Sequence, residues 1–172
     1  MRVKLGLIFF TSLMLLAARC NETTSGVSTS IGSDAYQLTK DFLNQGPRIP
    51  GTAGGKKAQD WLKAKIQSLG GEAVEQSFQA STPRGSVDMV NIIFTIPAKQ
   101  KRNGRVVLAA HYDSKDIEGI EFLGANDAAS SVALLLTLVD SLRTMEFSFD
   151  LDLVFLDGEE AFETWTDKDS LY

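Results

Sequence analysis

The sequence predicts an α/β fold in which strands are buried between helices. Two stretches, Arg105 to Ala110 and Leu151 to Leu156, are near-continuous apolar runs of the kind that strands covered on both faces show. Between Lys56 and Leu69, by contrast, Ala58, Trp61, Leu62, Ile66 and Leu69 recur at helical spacing. Helix-like and strand-like segments then alternate along the chain, as a sheet packed between helices requires.

Asp34 to Leu43 reads as a short helix with Asp34 as its cap. Gln45 to Gly55 holds Gly46, Pro47, Pro50, Gly51, Gly54 and Gly55 and reads as a loop. The helix Lys56 to Leu69 should end at Gly70-Gly71. Strands are expected over Glu72 to Gln79, Val87 to Ile96, Arg105 to Ala110 and Leu151 to Leu156, with a strongly apolar helix over Asp127 to Met145. A buried strand expects neighbours on both sides, so Leu151 to Leu156 is the segment expected to expose apolar surface if strands are missing.

The length of 172 residues suits one domain, residues 34–172, behind a leader and a linker. Acidic residues outnumber basic ones 22 to 17, a net charge of −5 that gives no electrostatic case for nucleic acid. One cysteine, Cys20, permits no internal disulfide, and there is one histidine, His111. Any metal site must therefore be rich in carboxylates, or must borrow a ligand from elsewhere.

At the N-terminus, Arg2 and Lys4 precede an apolar run from Leu5 to Ala18, which fits a signal peptide over residues 1–20 and is short for a membrane span. Cleavage after Cys20 is expected; a lipoprotein reading would acylate Cys20, although Arg19 departs from that pattern. Asn21-Glu22-Thr23 fits a glycosylation sequon and is read as chance. Residues 21–33 are mostly small and polar and read as a linker.

Three segments carry chemistry, each at a strand end or helix start: His111-Tyr112-Asp113-Ser114-Lys115, Gly124-Ala125-Asn126-Asp127, and Asp157-Gly158-Glu159-Glu160-Ala161-Phe162. In open α/β sheets ligands sit beyond the carboxyl ends of the strands, so all three can meet at one edge. Taken singly, His111 reads as an ordinary hydrogen-bonded residue and Asp127 as a helix cap. The pair Glu159-Glu160 is different, because two ionised carboxylates after a buried strand repel one another without a cation or a proton. Asp127 and one glutamate offer hard oxygen ligands, and the other glutamate could carry protons.

These residues resemble the zinc aminopeptidase clan. The run Asp157 to Phe162, with Trp165 and Asp169-Ser170-Leu171-Tyr172, more narrowly resembles the glutaminyl-peptide cyclotransferase family, as do His111 to Lys115 and Pro47-Arg48-Ile49-Pro50-Gly51-Thr52. The resemblance implies a three-layer α/β/α sandwich with a mixed, largely buried central sheet that is incomplete in this chain. It implies one zinc ion, with Asp127 and Glu160 as ligands and Glu159 as general acid/base. Trp165 would be an aromatic wall for the N-terminal glutamine of a peptide. His111 and Asp113 match a ligand and its orienting carboxylate in dinuclear aminopeptidases, and lie beside the metal in the cyclotransferases. The third ligand, a histidine, would fall beyond residue 172, so the chain reads as truncated. Ala110 stands where vertebrate members carry a disulfide cysteine, as in the bacterial branch.

The implied reaction is zinc-dependent cyclisation of an N-terminal glutamine to pyroglutamate with loss of ammonia, by an exported monomer. The alternatives are a zinc aminopeptidase, in which Glu159 activates water and His111 holds a second zinc, and an inactive remnant or binding module of the same fold.

Overall fold

A computed structural model describes residues 30–100 and 103–170. The expected signal peptide, Cys20, the sequon, most of the linker, and Leu171 and Tyr172 lie outside the described residues. The elements are α1 (Ser30–Leu43), α2 (Ala53–Ser68), β1 (Ala73–Thr82), β2 (Gly85–Ile96), β3 (Arg105–His111), a π-helical turn (Ala125–Ser130), α3 (Ser131–Thr144) and β4 (Asp150–Leu156).

The strands form a four-stranded sheet in the order β1-β2-β4-β3. β1 and β2 pair as an antiparallel hairpin, β2 and β4 are antiparallel, and β3 and β4 are parallel. The sheet is thus mixed, and the α/β class is as expected. Alternation along the strands builds the core. Ile92, Phe94 and Ile96 of β2 stand opposite Phe155, Leu153 and Leu151 of β4, and all six are buried in one cluster. All three helices contribute to it, through Phe42 of α1, Leu62 and Ile66 of α2, and Val132, Leu136 and Val139 of α3.

The structure corrects four readings. α1 starts at Ser30 rather than Asp34, taking in the end of the expected linker. α2 starts at Ala53, not Lys56, because Thr52 caps it by accepting the Gly55 N–H at 3.2 Å. The glycines that suggested a loop serve its first turn: a Cβ on Gly54 or Gly55 would come within 2.2 Å of Pro47 O or 2.5 Å of Ile49 O. The helix expected from Asp127 becomes regular only at Ser131, and Asp127 lies in the π turn with non-helical backbone and caps nothing.

The fourth correction concerns the strands. Among the described residues the two outer strands are β1 and β3, so of the two apolar runs it is β3 that lies at an edge, not Leu151 to Leu156. β4 has neighbours on both sides, whereas β3 pairs only with β4 among the described residues, leaving Val106 39% and Val107 55% exposed. The apolar run Arg105 to Ala110 records an environment that the described residues do not supply.

Candidate active site

Because β3 and β4 run parallel and in register, with His111 opposite Leu156, the segments leaving the two strands emerge at the same edge of the sheet. Tyr112 N–H donates to Leu156 O at 2.9 Å and keeps the two exits together. Gly158 then turns the chain with φ +78°, in the region a side chain disfavours, and presents Glu159 and Glu160.

His111 is the centre of the cluster. Its Nδ1 meets Asp113 Oδ1 at 3.2 Å, its Nε2 meets Asp127 Oδ1 at 2.7 Å, and Glu159 Oε2 lies 3.7 Å from Nε2. Burial pulls the imidazole down, but hydrogen bonding to Asp113 and Asp127 and the charge of Glu159 outweigh it and raise the pKa to about 9.

Asp113 is fully buried and organises the glutamate turn from below. It accepts the Glu160 N–H at 2.9 Å and, more loosely, the Glu159 N–H at 3.4 Å. The two adjacent glutamates end in different settings: Glu160 is buried, while the Glu159 side chain is 30% exposed. Burial raises both carboxyls above their ordinary value. Asp113 and Asp127 add to this at Glu160, and His111 opposes it at Glu159.

Trp165 sits on the next loop with 55% of its surface exposed, and Lys115 Nζ lies 5.3 Å from its ring centroid. Asp169 fixes that loop by accepting the N–H groups of Phe162, Glu163 and Thr164 at 2.7–2.9 Å, and Ser170 Oγ donates to Glu159 O at 2.6 Å. Burial alone would raise the Asp169 carboxyl, but the three N–H groups hold it below its ordinary value.

The structure therefore brings His111, Asp113, Asp127, Glu159 and Glu160 together. Four carboxylates around one imidazole are hard oxygen donors with a nitrogen, the donor chemistry that zinc takes, and their excess negative charge suits a divalent cation. Among the described residues, however, no three His, Cys, Asp or Glu side chains are set to hold a metal. Asp127 Oδ1 is engaged by His111 instead.

Sequence reasoning missed the buried layer beneath. Asp157 is wholly buried; its Oδ2 accepts from Val90 N at 3.0 Å and Gln59 Nε2 at 3.4 Å, and its Oδ1 has no hydrogen-bond partner. Burial pushes this carboxyl from 3.8 to about 6, against the hydrogen bonds. With the folded pKa above the unfolded one, the stability it contributes is full below about 3.8 and is lost as pH rises through about 6. Asp157→Asn cannot titrate. Wild type should therefore lose up to about 3 kcal/mol relative to the variant between pH 4 and 7, read from denaturant midpoints. A pH-independent difference would mean that Asp157 titrates normally.

Residues 91–166 match the model of Peptidase family M28. The chain is 37% identical over 132 residues to a glutaminyl-peptide cyclotransferase of Drosophila melanogaster, covering 73% of this chain and 37% of that protein. It is 43% identical over 136 residues to a glutaminyl-peptide cyclotransferase-like protein of Mus musculus, covering 73% and 35%. The crystal structure of a glutaminyl cyclase from an Acidobacteriales bacterium superposes with a TM-score of 0.75 at 36% identity, covering 84% of this chain and 50% of that one. The chain thus spans little more than a third of these two curated relatives. Over the stretch it shares with them, it belongs to the glutaminyl cyclase family, in the zinc aminopeptidase-like clan.

Proposed function

We propose that the protein cyclises the N-terminal glutamine of peptides, with Glu159 moving the proton and Asp127 and Glu160 holding one zinc ion. The observation that carries this division is the contrast between the two adjacent glutamates: Glu160 is buried against Asp113, and Glu159 faces outward beside His111. A proton carrier must reach substrate, whereas a ligand benefits from being held.

Bound zinc would supply Lewis acidity toward the γ-carboxamide of the substrate. The peptide's own α-amine attacks the carbonyl carbon of that carboxamide (Cδ of the glutamine), forming the ring C–N bond as the C–NH₂ bond breaks; the intramolecular geometry lowers the entropic cost. Glu159 accepts the proton lost by the amine and returns it to the departing ammonia. Asp113 holds the Glu159 turn through main-chain N–H groups, and Trp165 packs against the glutamine side chain. His111 and Asp113 support the cluster from its inner side.

His111 reaches Asp127 at 2.7 Å, which favours a second reading in which it holds a further zinc in an aminopeptidase. Incubation of the full-length protein with one peptide beginning with Gln and one beginning with Leu separates the two. Loss of ammonia from the first alone supports cyclisation, release of leucine from the second supports the aminopeptidase, and no turnover with no retained zinc supports an inactive remnant.

Export rests on Leu5 to Ala18, with a mature chain beginning near residue 21, or a lipid on Cys20. N-terminal sequencing that found Met1 on the stable form would reject it. Among the described residues no helix is long and apolar enough to cross a membrane. The full-length protein is taken to act as a monomer.

A further inference from the structure

Arg48 is among the largest fully buried side chains described, with no exposed surface. A buried guanidinium ordinarily sits on a carboxylate, because burying an unpaired charge is costly. Here the hydrogen-bond acceptors are main-chain carbonyls: Nε donates to Tyr112 O at 2.7 Å, Nη1 to Leu123 O at 2.7 Å and Nη2 to Gly124 O at 3.3 Å. The Phe42 ring lies 4.7 Å from the guanidinium carbon. The three carbonyls belong to two separate segments. Tyr112 lies between His111 and Asp113, and Leu123-Gly124 leads into the turn that carries Asp127.

The surroundings leave little slack. Arg48 N–H donates to Ser114 Oγ at 2.8 Å, and Ser114 N–H returns to Arg48 O at 3.3 Å. On the other side, Gly124 has φ +54°, and a Cβ there would come within 2.2 Å of Asp127 O and 3.1 Å of Arg48 Nη2. The turn bearing Asp127 is thus folded tightly onto the arginine. A methionine could fill the same volume, but only a planar fork with several donors reaches both segments at once.

We propose that Arg48 is a positioning residue that locks the His111–Asp113 segment to the Asp127 turn and thereby sets how tightly the carboxylate cluster holds a divalent cation. The second half rests on the metal reading above; the first half does not. Asp113 and Glu160 are the charges nearest enough to act on Arg48 through space, so the guanidinium also offsets the repulsion beneath the cluster.

His111 is the only histidine in the chain, which gives an unambiguous probe. In the full-length protein, Arg48→Lys keeps the charge and loses the fork, and Arg48→Gln loses both. Circular dichroism establishes that each is folded, competition with a chelator gives the zinc dissociation constant, and NMR reports the His111 ring signals. Zinc binding should weaken about 10–100-fold in both variants, the usual effect of removing a group that orients ligands. The single His111 signal should broaden or double in both. If Arg48→Lys restores wild-type affinity and a single sharp signal, the fork is irrelevant and the proposal is wrong. Disturbed His111 signals in the variants, with a wild type that binds no zinc, would retain the lock and remove the metal reading. Should the variants not fold, the Arg48 Nε–H signal of the wild type decides: it should exchange slowly and shift as zinc is added. Fast exchange, or bound zinc without a shift, overturns the proposal.

Discussion

Glu159→Gln should lower glutamine cyclisation in the full-length protein by about 10²–10⁴-fold, the usual share of a general acid/base, while zinc stays bound. The amide keeps the size of the side chain and removes only its ability to accept and return a proton. The Asp113 bonds go to main-chain N–H groups and survive the change, so the turn should keep its shape. Glu160→Gln should behave differently and weaken zinc binding together with the rate, because the buried glutamate is the proposed ligand. Steady-state kinetics with parallel metal analysis distinguishes them. Equal metal loss in both variants would mean that the roles of the two glutamates are exchanged.

The same pair shows how much of the site was legible in the sequence. Two adjacent carboxylates after an apolar strand pose an electrostatic problem that is visible without coordinates. Strand ends and a helix start gave the meeting point, since parallel strands β3 and β4 release His111 and Asp157 at one edge. Buried polar groups were another matter. Arg48 stands in a glycine- and proline-rich stretch that turns alone could explain, and Asp157 reads as the first residue of a loop. Both contribute through long-range partners, 64 to 76 positions away for Arg48 and 67 for the Val90 N–H on Asp157. No local pattern encodes such distances. An arginine inside an otherwise small and apolar loop was the one available signal. The edge misassignment has a similar origin. Apolar runs report that a strand expects cover on both faces, but β3 and β4 carry the same pattern, and only the strand order shows which has two neighbours.

Prepared as the 172-residue chain, the protein should bind zinc weakly, show no measurable cyclisation and associate with rising concentration. Catalytic zinc sites commonly use three protein ligands, and here only Asp127 and Glu160 are assigned that role. His111 lies in the cluster, but its two nitrogens are already directed at Asp113 and Asp127, so a third bond to the ion would require it to leave one of them. Association should run through β3, an outer strand whose far edge is unpaired among the described residues and whose exposed Val106 and Val107 invite pairing with another chain. Val107→Lys places a charge on that exposed position without touching the core cluster, to which Leu108 and Ala110 contribute instead. It should shift the chain toward monomer in sedimentation velocity and leave zinc affinity within about twofold, because surface substitutions rarely cost more than about 0.5 kcal/mol. A Leu134→Lys change on the exposed side of α3 serves as the control and should leave association unchanged. Association that persists in Val107→Lys but disappears in the control would move the sticky surface from the sheet edge to the helix. Stoichiometric zinc with cyclisation in the 172-residue chain would be the more consequential result, since His111 would then become the third ligand and Asp127 would have to exchange its hydrogen bond for the metal.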